Sequence, residues 1–182
     1  MKKYLIIFII LFAGNAHAKS FLTYNGGFVS LGVGLQTYSP EVEGDKKPYS
    51  KPYANLDFKI GGILNIHHFI LGIDTEIKFT SLEIRGYQNY FSFEGNAILG
   101  IEFFNVLLYG KVGAGTIGII EGSHWNLPLN LVVGGGVKYA FDFGIAVFTE
   151  YTGYLGLVDS TNNQKAFNAT AHSWTTGVEW QF

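Results

Sequence analysis

The chain has 182 residues, 48% hydrophobic, 16% aromatic and 14% charged, with 24 Gly, 4 Pro, no Cys and a formal net charge of −2. That composition excludes a disordered chain, a coiled coil and a disulfide-stapled fold, and without a basic surplus there is no footprint for DNA or RNA. One domain accounts for a chain of this length.

Residues 1–18 read as a secretory signal peptide. Lys2 and Lys3 precede an apolar run from Leu5 to Ala13, and Ala16-His17-Ala18 supplies the small-residue cleavage site. The run is roughly half the twenty or so residues that a spanning helix needs. Cleavage after Ala18 leaves residues 19–182, a mature domain of 164 residues (182 − 18) with 10 basic and 14 acidic side chains. An exported chain folds where disulfides are permitted, so its lack of Cys means that other interactions hold it together.

The mature chain has no uncharged apolar run of spanning length, and a period of two dominates it. Val29, Leu31, Val33 and Leu35 alternate with Ser30, Gly32, Gly34 and Gln36. Leu56, Phe58 and Ile60 alternate with Asn55, Asp57 and Lys59; Phe69, Leu71, Ile73, Thr75, Ile77 and Phe79 alternate with Gly72, Asp74, Glu76 and Lys78. Next, Phe91, Phe93, Ala97, Leu99 and Ile101 oppose Ser92, Glu94, Asn96 and Glu102, and Val106, Leu108, Val112 and Ala114 oppose Tyr109 and Lys111. Leu129, Leu131, Val133, Val137 and Tyr139 oppose Asn130 and Lys138; Phe143, Ile145, Val147 and Tyr151 oppose Gly144, Ala146 and Glu150. The last segment sets Trp174, Val178, Trp180 and Phe182 against Ser173, Thr175, Glu179 and Gln181. Eight strands follow, each with one apolar and one polar face.

Their connections alternate in length. Tight turns are expected around Asn65, Phe104-Asn105 and Phe141-Asp142, and long polar loops over Pro40 to Pro52, Ser81 to Gln88, Glu121 to Pro128 and Gly156 to Asn168. Short turns at one end and long loops at the other are the pattern of an outer-membrane barrel. A soluble sandwich or lipocalin-like barrel alternates too, with the opposite phase outside. Three features give the direction: the export signal, aromatic residues at both ends of the apolar phase, and small residues mixed with charges in the polar phase. The aromatics are Phe69, Tyr139, Phe143, Trp180 and Phe182 toward the short turns, and Phe79, Phe91, Tyr151 and Trp174 toward the long loops. They would bracket an aliphatic band as interfacial girdles do. Gly32, Gly34, Gly72, Gly100, Gly134 and Gly136 would make room in a narrow lumen. The expected fold is therefore all-β, an eight-stranded antiparallel up-and-down transmembrane β-barrel.

With this pattern the sequence resembles the small eight-stranded outer-membrane barrels of the OmpA transmembrane domain and OmpX type, over essentially all of residues 19–182. The C-terminal Trp174, Val178, Trp180 and Phe182, with Phe182 terminal, resemble the signal read by the barrel-assembly machinery. The resemblance implies escort by periplasmic chaperones, insertion by that machinery and residence in the outer membrane of a Gram-negative bacterium, in contact with its lipid and lipopolysaccharide. No cell-wall-binding domain is expected after Phe182.

Eleven charges occupy the inward phase: Asp57, Asp74, Glu76, Glu94, Glu102, Glu150 and Glu179 against Lys59, Lys78, Lys111 and Lys138. Side chains can fill a barrel of eight strands, so these should form a wet salt-bridge network that plugs the lumen. The three surplus carboxylates leave a narrow porin-like cation path as the first alternative. The second is a lipid A-modifying enzyme. For it, Ser123-His124 with Glu121 is the nearest nucleophile-base set, but adjacent Ser and His project differently and a triad needs mutual contact. His172-Ser173 lacks the longer His-x-Ser-Asn string of the lipid A deacylases, and no room precedes the first strand for the helix of the palmitoyltransferases. No catalytic residue is assigned. His67-His68 has no Cys or carboxylate beside it in the turn and reads as solvated, so no metal is expected. Gly134-Gly135-Gly136 lies in a strand with no helix after it, which excludes a phosphate cradle and suggests close packing or a kink. No cofactor is expected. The loops carry mixed charge in residues 41–52, and aromatic and basic groups in Arg85-Gly86-Tyr87-Gln88-Asn89-Tyr90 and Ser123-His124-Trp125, suited to a host or surface ligand. The expected role is structural in the envelope or one of surface contact.

Overall fold

A computed structural model describes residues 24–41, 52–84, 87–121, 124–141, 143–156 and 168–182. The signal peptide, Asp142, Ser123 and the loop residues 42–51 and 157–167 lie outside them. Nine strands follow in order: β1 (Gly26–Glu41), β2 (Pro52–Ile66), β3 (Phe69–Ile84), β4 (Tyr87–Phe103), β5 (Val106–Glu121), the three-residue β6 (His124–Asn126), β7 (Leu129–Ala140), β8 (Ile145–Gly156) and β9 (Asn168–Gln181). Eight long strands pair antiparallel with their neighbours in the chain, β5 with β7, and β9 returns to β1. The ring is closed, with β6 as a short extension paired to the end of β5. Among the described residues no helix is long and apolar enough to cross a membrane.

Closure depends on the C-terminus. Phe182 N–H donates to the carbonyl of Gly27 and Gly27 N–H to that of Phe182, both at 2.9 Å, so the last residue completes the β1–β9 seam. Along that seam Trp180 faces Val29, Val178 faces Leu31 and Trp174 faces Leu35, apolar residue against apolar residue on the outer wall.

The strands outrun the alternation that revealed them. Glu41 pairs with Asn168 and Pro40 with Ala169, so the first loop begins later, and the fourth ends earlier, than the polar composition suggests. The expected loop from Ser81 to Gln88 is mostly ladder: Glu83 pairs with Gln88 and Ile84 with Tyr87, after a register shift beyond Thr80. The third loop is likewise shortened by β6. Beyond the bilayer both faces of a strand are wet, so alternation is lost while backbone pairing continues. The glycine run in β7 stays in the ladder; Gly136, Gly135 and Gly134 pair without interruption to Tyr109, Gly110 and Lys111.

The first tight turn is a two-residue connection at His67-His68, where both residues have positive φ, 51° and 76°. That is the backbone of a type I′ hairpin, which matches strand twist but suits Asn-Gly better than two side-chained residues. Asn65 offsets some of the strain, its Oδ1 accepting the His68 N–H at 3.1 Å. His68→Gly is expected to stabilise the barrel by about 1 kcal/mol, read as a higher urea midpoint for unfolding from lipid vesicles.

Candidate functional site: the barrel lumen

Side-chain direction in the ring is set by strand period. The apolar phase looks outward: Phe93 is 46% exposed and Val133 45%, and Leu31, Ile73, Leu99 and Val178 are exposed as well. Both expected aromatic girdles lie on this outer surface, with Phe69, Tyr139, Phe143, Trp180 and Phe182 at one end and Phe79, Tyr151 and Trp174 exposed at the other, where Phe91 is half-buried. Asp57, Lys59, Asp74, Glu76, Lys78, Glu94, Glu102, Lys111, Lys138, Glu150 and Glu179 are all buried inside the ring.

Lys111 is the centre of the network. Its Nζ lies 2.7 Å from Glu76 Oε2, Glu94 Oε1 and Glu150 Oε1, carboxylates carried by β3, β4 and β8. Because β3 and β8 stand on opposite sides of the ring, one ammonium ties the two walls together across the axis. Lys59 reaches the same Glu150 oxygen at 2.7 Å, with Glu76 at 3.5 Å and Asp57 at 3.7 Å. Lys78 pairs with Glu76, lies 3.7 Å from Glu94 and donates to the Tyr154 hydroxyl at 2.9 Å. Glu76 and Glu94 face each other directly across β3 and β4, a like-charge pair that is repulsive unless a cation bridges it. Lys111 and Lys78 both do so. Tyr109 and Thr152 donate to Glu150 at 2.7 and 3.1 Å, and Asn96 donates to Asp74 and Glu94 at 2.7 and 3.1 Å.

A second, smaller group lies nearer the short turns. Lys138 pairs with Glu179, whose other oxygen accepts from Gln181 at 3.1 Å, and Asn65 donates to Glu102. Three of the lumen lysines also rest near an aromatic ring: Lys59 Nζ is 4.8 Å from the centre of Phe148, Lys78 is 5.4 Å from Tyr154, and Lys138 is 4.4 Å from Phe28. Such contacts hold a desolvated ammonium against the negative face of the ring.

The interior rings are what a reading of the charges alone misses. Tyr24, Phe28, Ile63, Ile70, Ile98, Leu107, Ala140 and Ala146 form a buried apolar cluster with Tyr109 at the short-turn end, so hydrocarbon packs around the Lys138–Glu179 pair there. Tyr24 anchors it by donating to the Asn105 carbonyl in the turn at 3.0 Å. The signal was present in the sequence as Ile63, Ile70, Ile98 and Leu107 standing in the polar phase. Glycine makes the space: a Cβ on Gly136 would meet Tyr109 Oη at 2.7 Å, and one on Gly177 would meet Phe148 Cε1 at 2.8 Å.

Ser173 is buried on the lumen side, where its Oγ accepts from Asn55 at 2.9 Å, and His172 lies on the outer wall, so these neighbours point apart. The backbones of Glu121 and His124 pair in the β5–β6 ladder, while Ser123 lies outside the described residues. His67 and His68 are exposed, and no group of three metal-ligating side chains occurs among the described residues. Trp174, Val178 and Trp180 form one outward row on β9, and Phe182 continues it just past the strand.

No protein-family profile matches the chain, and no curated protein matches its sequence. Its architecture matches solved barrels. Neisserial surface protein A (NspA) superimposes with a TM-score of 0.61 at 15% identity, covering 86% of this chain and 97% of that one. Ail, the attachment invasion locus protein of Yersinia pestis, gives 0.53 at 14% identity over 86% and 99%. The N-terminal β-barrel domain of Pseudomonas aeruginosa OprF gives 0.53 at 14% identity over 83% and 97%. The chain thus has the fold of the small eight-stranded outer-membrane β-barrels.

Lys111→Met is expected to leave Glu76, Glu94 and Glu150 short of a counter-charge and to destabilise the barrel by about 3–5 kcal/mol. The check is the urea midpoint in vesicles, together with the temperature at which the folded gel band converts to the unfolded one.

Proposed function

We propose that this protein is a non-conducting, non-enzymatic barrel of the Gram-negative outer membrane, exported with a cleaved signal peptide, that serves envelope integrity and presents its loops for surface contact. The observation that carries this reading is the position of Lys111, bonded at 2.7 Å to carboxylates from both sides of the lumen. An ion entering the axis would have to break those pairs in a low-dielectric space and then pass the apolar cluster around Phe28, Ile98 and Leu107. Planar-bilayer recording of the refolded protein should show no discrete conductance steps. Steps that disappear on changing Glu76 or Lys111 would establish the channel reading instead, which the three surplus carboxylates favour.

Surface contact draws support from the neighbours as well as the loops. Ail carries attachment and invasion in its name and has been solved with the heparin analogue sucrose octasulfate. In this chain the mixed charges of residues 41–51 are the corresponding candidate for a host or surface ligand. Removing residues 42–50 is expected to lower cell binding while the barrel keeps its heat-modifiable gel mobility. Lipid A from cells with and without the gene should give identical mass spectra; an altered acyl pattern would identify an enzyme. Assembly through periplasmic chaperones and the barrel-assembly machinery belongs to the same reading, with the outward row of Trp174, Val178, Trp180 and Phe182 as the segment to be recognised.

A further inference from the structure

The outer wall carries one feature that neither packing nor closure requires. Among the outward-facing strand residues whose side chains are described, none is Asp, Glu, Lys or Arg, and His172 is the single imidazole. Its ring stacks on Tyr151 at 5.8 Å between centres and 18° between planes, and the Tyr151 hydroxyl lies 2.7 Å from Nδ1. Gly153, paired with His172 across β8 and β9, leaves room beneath the ring, with its Cβ direction 3.7 Å from Nδ1. Trp174 stands next on the same face, 57% exposed, its ring 6.3 Å from that of Tyr151.

The height of this group on the wall is set by strand geometry. His172 precedes the terminal Phe182 of the inner girdle by ten residues (182 − 172). At about 3.3 Å per residue that is about 33 Å along the strand, and a tilt of about 40° reduces it to about 25 Å of height, one thickness of the apolar band. The imidazole therefore stands at the boundary on the long-loop side, where hydrocarbon gives way to headgroups. An ionisable side chain on a lipid-facing wall is a candidate functional site. The Tyr151 hydroxyl and Nδ1 share one hydrogen bond, and in the tautomer in which the hydroxyl donates, the ring proton is on Nε2, which has no protein partner among the described residues. Thr37 adds a hydroxyl beside it, its Oγ1 3.4 Å from the His172 carbonyl.

We propose that His172, positioned by Tyr151, is a docking contact for the phosphate of a phosphorylated glycolipid in the outer leaflet. A phosphate oxygen accepts the Nε2 proton while Trp174 packs against the top of the acyl region. This rests on the outer-membrane reading above and adds a specific lipid site to it.

The test is solid-state NMR on full-length mature protein with ¹⁵N-histidine, reconstituted in bilayers containing bisphosphorylated lipid A or phosphatidylcholine alone. His172→Gln assigns the resonance by subtraction. The expected result is dephasing of His172 Nε2 by ³¹P in lipid A bilayers and not in phosphatidylcholine, and a several-fold weaker effect in Tyr151→Phe. In parallel, His172→Phe should retain several-fold less lipid A on purification, as weighed by native mass spectrometry. No ³¹P contact, an equal contact in phosphatidylcholine, or unchanged lipid A retention in His172→Phe would overturn the proposal. Failure of the wild-type protein to insert as a heat-modifiable barrel would overturn the outer-membrane reading along with it, so the two failures are distinguishable.

Discussion

The need to pair every backbone N–H and C=O inside hydrocarbon governs this structure. Water cannot solvate a strand edge there, so the sheet must close on itself. The β1–β9 ladder, from Glu41–Asn168 to the Gly27–Phe182 hydrogen bonds, is where that closure occurs. Once the ring is shut, the usual distribution of side chains is inverted. Leu31, Phe58, Ile73, Leu99 and Trp174 face lipid, and the charged residues have only the axis left to occupy.

Eight strands leave an axis too narrow for a free aqueous phase beside so many side chains. Seven carboxylates and four lysines placed there would be strongly destabilising if unpaired. The chain resolves this by position: cross-strand Glu76 and Glu94 are bridged by Lys111 and Lys78, and Glu150 joins them from the far wall. Glycines on the inner phase give the long side chains space, and aromatic rings cover the ammonium groups. The same ion pairs that tie the walls of the barrel together also occupy its axis.

The outer wall follows a different rule, in which each polar atom needs a reason. Thr149 and Thr176 satisfy each other, Thr176 donating at 3.2 Å. Tyr151 and His172 do the same toward the long-loop end, the hydroxyl lying 2.7 Å from Nδ1. Aromatic belts at both ends orient a barrel of this kind in its bilayer.

Strand number, the phase of each strand and the identity of the inward charges were legible in the chain, because a period of two is local and each strand reports its own faces. The positions of Asp57 through Glu179 inside the ring follow from that period once the direction of the apolar face is known. Strand ends were not legible beyond Thr80 or Ser39, since two wet faces erase alternation while the ladder persists through Ile84 and Glu41. Nor was the apolar cluster formed by Phe28, Ile63, Ile70, Ile98 and Leu107, whose meaning depends on four or more strands converging at one end. Which lysine meets which carboxylate, and that Tyr151 holds His172, were decided by the tertiary structure alone: register and barrel curvature bring together residues up to 91 positions apart, a distance over which periodicity carries no information.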